Sequence, residues 1–307
     1  MTFRTETSLV GYARAAVEMK TRMHEYCAST AGGEYTRAFV ETLLASLPDD
    51  DTAYAHQELV GVINRANSAV WAQSEAYVLA PAMTAVVAAA AQALDLTGDL
   101  LTADAAPTDS GVLFLPEPIY HRNLIGQVSG IAAITWATIA SPSGRSWLIC
   151  GWADRDDPED PHAARIQGYA HQDPTLRSRL GPYVLTNLDR LPIAAPVPAV
   201  APPDVDEPDR DWETAPDGRC VIADAAARTR VCAAIAYAFW RIQAQPISVA
   251  APAPLDRPAR RRAARARIVH DTRVVMLRRT SALTEPADGP ASWHYRVRFV
   301  VRGYGAA

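Results

Sequence analysis

The sequence predicts an α+β protein: a helical N-terminal region followed by a mixed antiparallel β domain with a packed helix. Three observations lead there. Apolar residues over 8–96 recur three and four apart, the period of a helix that buries one face. Over 111–153 that period gives way to short apolar runs bounded by Pro and by Ser-Pro-Ser-Gly, the signature of strands and their turns. Beyond residue 219 a helical stripe returns, followed by two runs of strand character.

Element by element, Leu9, Tyr12, Ala16, Met19, Met23 and Tyr26 form one stripe of a helix expected to end at Gly32-Gly33. Phe39, Leu43 and Leu47 mark a second helix, closed by Pro48 and three consecutive Asp, and Leu59, Ile63, Ala66, Val70 and Trp71 mark a third. Pro81 either breaks the pattern or opens a fourth helix, Met83 to Leu96. That helix is apolar almost all round and belongs in a core, with Gly98 as its stop. Residues 1–105 therefore read as a helical region. In a β-rich region, 106–192, three runs read as strands: Val112 to Leu115, closed by Pro116 and Pro118, then Ile131 to Ile139 and Trp147 to Trp152. The last two form a hairpin across Ser141-Pro142-Ser143-Gly144. Residues 162–192 carry no clear period. Residues 193–218 are Pro- and Ala-rich, then acidic, with seven acids between Asp204 and Asp217, and read as an extended linker.

In the final region, 219–307, Val231, Ile235, Ala238, Phe239 and Ile242 define a helix ended by Pro246. Ala250 to Arg267 reads as a Pro/Ala/Arg arm, Arg273 to Arg279 as a strand, and Trp293 to Arg302 as its hairpin partner. That partner places Trp293, Tyr295, Val297, Phe299 and Val301 on one face, and His294, Arg296, Arg298 and Arg302 on the other.

Composition bounds the function classes. With 307 residues, 49% apolar and 21% charged, the chain is neither disordered, nor collagen-like, nor a disulfide-stapled miniprotein. The four cysteines make no Cys-x-x-Cys pair, which argues against a zinc knuckle or redox dithiol. There is no apolar leader after Arg4, and the longest apolar stretch, Leu79 to Ala91, contains Pro81 and is too short for a bilayer. The expectation is a cytoplasmic protein with no membrane partner and no cofactor. The net charge of −4 conceals an asymmetry: residues 257–307 hold twelve Arg against Asp271, Glu285 and Asp288, while the rest of the chain is acidic. Lys20 is the single lysine. An acidic body with a basic C-terminal segment implies a polyanionic partner or a clasp between its own parts.

The candidate site residues follow from that segment. Arg260, Arg261, Arg262, Arg265 and Arg267 supply phosphate affinity, and Arg296 and Arg298 orient it, with Arg273, Arg278, Arg279 and Arg302 completing the basic surface. The competing reading is a disordered basic tract that neutralises the acidic linker. Asp154, Asp156 and Asp157 are weak candidates for a divalent cation, because Glu159 stands where an EF-hand loop has glycine. His121, in a Pro-bounded loop near Glu117, is a conceivable acid or base, against the commoner satisfied core histidine. No Gly-x-Ser-x-Gly elbow or phosphate-binding loop occurs. No catalytic residue is assigned, and a non-enzymatic role is expected.

Several stretches together resemble one known family. They are Gly111-Val112-Leu113-Phe114-Leu115-Pro116-Glu117-Pro118, Ala133-Ile134-Thr135-Trp136, Trp147 to Asp157, Phe239-Trp240-Arg241, Arg273 to Arg279, and Tyr295 to Gly303. Their order is similar to an uncharacterised family of phage and mobile-element proteins related to a type V anti-CRISPR protein that acts on effector biogenesis. The resemblance covers roughly residues 110–303 and implies no catalytic residues. Members of that family continue past the Arg-Gly pair, so the resemblance implies either a missing terminal strand, with an open sheet edge, or a function that has drifted from the family's. The leading expectation is a phage or mobile-element regulator that binds nucleic acid or a ribonucleoprotein through its basic segment. The alternatives are an inhibitor that captures a host protein or nascent peptide and, ranked below it, a metal-dependent nuclease.

Overall fold

The middle of the chain alternates two sets of apolar side chains, and one mixed sheet with a core on each face uses both sets. The computed structural model describes residues 3, 6, 8–45, 56–122, 128–141, 144–199, 221–222 and 230–278. The chain divides into two units, Met1–Leu277 and Arg278–Ala307. Only Arg278 of the second unit is described, so Arg279, Arg296, Arg298, Arg302 and the expected terminal strand lie outside the described residues.

Helices α1 (Leu9–Cys27), α2 (Thr30–Ala45) and α3 (His56–Gln73) precede the first strand, β1 (Glu75–Leu79), and α4 (Pro81–Gln92) follows it. Strands β2 (Ser110–Arg122), β3 (Val128–Ser141) and β4 (Gly144–Asp154) form an antiparallel meander. Helices α5 (Pro161–Gln172) and α6 (Pro174–Arg179) lead to β5 (Tyr183–Pro192), and β6 is the two-residue Val221–Ile222. Then come α7 (Val231–Gln243), β7 (Ser248–Pro252), α8 (Arg257–Ala266) and β8 (Thr272–Leu277). The strand order is β5-β4-β3-β2-β1-β8-β7, with β6 beside β2. Strand β1 pairs in parallel with both β2 and β8, and β7 pairs antiparallel with β8. The fold is α+β.

Alternate residues of each strand enter different cores. Ala76, Val78, Val112, Phe114, Cys150 and Trp152 join α1, α3 and α8 around Trp71. Tyr77, Leu79, Leu113, Leu115, Trp147 and Ile149 join α4 and α7 around Trp136, Phe239 and Trp240. Trp71 meets Trp152 edge-on at 5.5 Å, and on the other side Trp147 lies 5.2 Å from Trp240. Burial on both faces is why these strands read as unbroken apolar runs rather than as polar–apolar alternation.

Several elements differ from the sequence reading. Gly32-Gly33 lie inside α2, and the chain turns earlier, at Ala28-Ser29, where Ser29 Oγ accepts from Gly32 N at 3.1 Å. Glycine is required at 32 because a Cβ would run into the Tyr26 carbonyl oxygen. Strand β1 was not expected: at five residues it is too short to show a period between two helices. Pro116 and Pro118 do not end β2. The strand continues past them through a register shift between Phe114 and Ile119, where the lost donors interrupt the ladder. Pro81 opens α4 at its first turn, one of the two expected alternatives. The hairpin over Ser141 and Gly144 and the helix at 231–243 fall where they were expected. Leu47, Pro48 and linker residues 200–220 lie outside the described residues. Among the described residues, no helix is long and apolar enough to cross a membrane.

Candidate anion-binding surface

The Pro/Ala/Arg arm is not a disordered tract: it forms strand β7 and helix α8. The local sequence specifies that helix. Asp256 sits at the N-cap with extended backbone, and its carboxylate accepts from Ala259 N at 2.8 Å, with Pro258 in the first turn. Arg14 of α1 braces the cap, donating to Asp256 Oδ2 from Nε at 3.1 Å and from Nη2 at 2.5 Å. The Ala259 amide and the Arg14 guanidinium hold the Asp256 carboxyl below the usual range. At the other end, Arg267 takes the left-handed conformation, φ 57°, and Ile268 N reaches back to the Ala263 carbonyl at 2.9 Å.

One stripe of α8 is small and buried, Ala259 and Ala263, four residues apart. With no side chain beyond Cβ, it lets the helix lie close on the core that contains α1. Each residue advances roughly 100° around a helix, so Arg257, Arg261 and Arg265 stand on the side opposite that stripe. Arg260 and Arg262 flank it. All of these arginines and Arg267 are exposed. Arg257, Arg261, Arg262, Arg265 and Arg267 have no ion-pair partner among the described residues. These guanidinium groups, of which Arg262 also lies within electrostatic reach of Asp256, make a positive surface with donors left for an anion.

Beside the helix lies a pocket of about 260 Å³ whose lining includes Arg260, Arg273, His270, Asp271, Pro254 and Leu255. Two of the predicted arginines, thirteen residues apart in sequence, are thus brought to one cavity by the turn from α8 into β8. Arg260 donates to the Leu255 carbonyl at 3.0 Å, and Arg273 Nε reaches Glu75 Oε2 at 3.4 Å, which leaves further N–H groups on both. The floor is rigid. Val269 N donates to the Ala72 carbonyl at 2.8 Å, and the Lys20 ammonium donates to the Val269 carbonyl at 2.6 Å and to the Ser74 carbonyl. Arg278, just beyond β8, is exposed.

The carboxylates of the acidic loop make contacts within the fold. Asp154 Oδ1 accepts from Asp156 N at 2.9 Å, and Asp157 accepts from Glu159 N at 3.0 Å and from the Tyr120 hydroxyl at 3.1 Å. Asp156 is paired with Arg177 at 2.8 Å and with Arg155 at 3.1 Å. Burial pushes the Asp154 carboxyl up. Among the described residues, no group of three His, Cys, Asp or Glu converges as a metal site. Asp160, at the end of the acidic loop, is buried and accepts from Gly130 N at 2.9 Å, tying the loop to β3. His121 is fully buried within β2, not in a loop.

The sequence reading missed the pocket and the contribution of His270 and Asp271 to it. Asp256-Arg-Pro-Ala, a cap followed by an early proline, is the sequence signal that would have placed the helix and hence its rim. No protein-family model matches this chain, and comparison with curated proteins gives no match.

Proposed function

We propose that this protein binds nucleic acid, alone or within a ribonucleoprotein, through the arginine face of α8, as a regulator of phage or mobile-element type. The observation that carries the reading is α8 itself: a capped, docked helix with an arginine face that nothing else among the described residues neutralises. Such a face suits phosphate oxygens, for which arginine offers planar paired donors. Its contacts are to backbone phosphates, so affinity is expected to depend little on base sequence. The regulatory setting rests on the sequence motifs alone. The test is fluorescence anisotropy of labelled RNA and DNA with the full chain and with Arg257→Gln/Arg261→Gln/Arg265→Gln. Binding that falls at least tenfold in the triple variant, at unchanged helical content, supports the reading. Equal affinity in both proteins sinks it.

An extended host peptide is the second candidate partner. Strand β7 pairs only with β8 among the described residues, and Ile247 and Val249 are exposed beside that edge. An added strand would bind there through backbone hydrogen bonds and apolar contacts, with little dependence on salt.

A further inference from the structure

The pocket beside α8 differs in kind from the helix face. A convex row of guanidinium groups can follow a strand of phosphodiesters. A concavity lined by two arginines can hold one group. Arg260 arrives from α8 and Arg273 from β8, so the two cations are set by different elements. His270 adds a ring nitrogen to the same lining. The opposite character is present too: Pro254 and Leu255 supply an apolar wall, and Asp271 supplies a carboxylate that accepts hydrogen bonds and repels anions. A bare inorganic anion would use the arginines and make no use of the apolar wall. The volume, about 260 Å³, lies just under the ~300 Å³ at which clefts for drug-sized ligands begin. It suits a phosphate with one sugar and part of a base.

We propose that this pocket binds the terminal phosphomonoester of a nucleotide. Arg260 and Arg273 clamp the phosphate, Pro254 and Leu255 face the ring system, and Asp271 accepts from a sugar hydroxyl or a base amino group. A terminal phosphomonoester carries up to two negative charges where an internal diester carries one, so two clamping arginines favour an end over the middle of a strand. The chemistry is shared by a strand end and a free nucleoside monophosphate. The inference rests on the α8 reading for the strand, while the pocket can be tested without it.

Three proteins serve: the full chain, Arg273→Gln, and the triple variant of α8. Each is titrated by anisotropy with one twelve-nucleotide sequence bearing a 5′-phosphate, a 3′-phosphate or only hydroxyl ends, and by calorimetry with adenosine monophosphate. The expected result is about tenfold tighter binding of one phosphorylated end by the full chain, a difference worth about 1.4 kcal/mol. Arg273→Gln should abolish that preference, read within the variant as equal affinity for the phosphorylated and hydroxyl-ended strands. The triple variant should lose strand affinity yet keep the mononucleotide. Saturable binding of adenosine monophosphate that Arg273→Gln removes, with no preference among strands, identifies the free nucleotide as the ligand and also supports the pocket. Equal affinity for all three strands, together with no binding of adenosine monophosphate, overturns the pocket and leaves the α8 reading standing. If the triple variant keeps full strand affinity, the α8 reading fails whatever the pocket does.

Discussion

Lys20 is the single lysine of the chain and it is buried, with 1% of its surface exposed. Its ammonium joins the Ser74 carbonyl, just before β1, to the Val269 carbonyl, just before β8. The neighbouring parallel strands are thereby held level at their starts. Burial pulls its pKa down to about 8, against the opposing pull of Asp271 and Glu75. The folded protein thus holds fewer protons here than the unfolded chain between about 8 and the ordinary 10.5. This contribution to stability is fully present above the unfolded value and is lost as pH falls through about 8. Lys20→Met is expected to cost about 1–3 kcal/mol by leaving the buried Ser74 carbonyl and the partly buried Val269 carbonyl without this donor. Denaturant melts of both proteins at pH 7 and pH 10 check this: the wild type should gain stability relative to the variant on going to the higher pH. Asp189 gives the opposite case. Burial raises its pKa to about 6, although the Ala233 amide at the start of α7 donates to it at 2.8 Å. Its contribution is present below about 4 and lost as pH rises through about 6. Asp189→Asn should flatten that part of the stability–pH curve while keeping an acceptor for the helix, and Asp189→Ala should cost about 1 kcal/mol as a lost cap.

At the scale of elements, α8 depends on two small contacts. Ala263→Leu is expected to overpack the seat against α1 and cost about 1–3 kcal/mol, read as a lower denaturation midpoint. Because it displaces the helix, the same change should weaken nucleic-acid binding, although no arginine is touched. The elements also show what a sequence discloses. Helices α1, α3 and α7 were legible because each buries a stripe long enough to repeat. Strands β3 and β4 were legible from apolar runs and the turn between them. Strand β1 was not, since five residues between two helices show no period, and β5 was not, since its polar residues Thr186, Asn187 and Asp189 blur the pattern. The arginines of the candidate site were legible as charge. Their geometry was not, because alanine and proline carry no hydrophobic stripe and the helix is held by its cap and by contacts distant in sequence. The acidic loop looked like a ligand set from its composition, yet its carboxylates are engaged by backbone amides, the Tyr120 hydroxyl and arginines.

For the whole molecule, the central consequence is a separation of charge. The body of the chain is acidic, and most of the described basic residues after Asp256 lie on α8, with Arg267 at its end, Arg273 near the start of β8 and Arg278 just past it. An acidic body repels a polyanion, so the partner should approach from one side and be oriented by that field before it is bound. Association should then be fast at low salt and slow as salt rises. A partner held by the β7 edge would show neither effect. The measurement that separates these accounts is the salt dependence of binding, taken with the full chain and with Arg257→Gln/Arg261→Gln/Arg265→Gln on the same RNA. Each phosphate contact steepens the plot of log affinity against log salt by about 0.7–0.9. If α8 carries the interaction, the full chain shows a steep fall and the triple variant a slope shallower by about 2–3. Two parallel slopes, or binding that salt does not change, would contradict it.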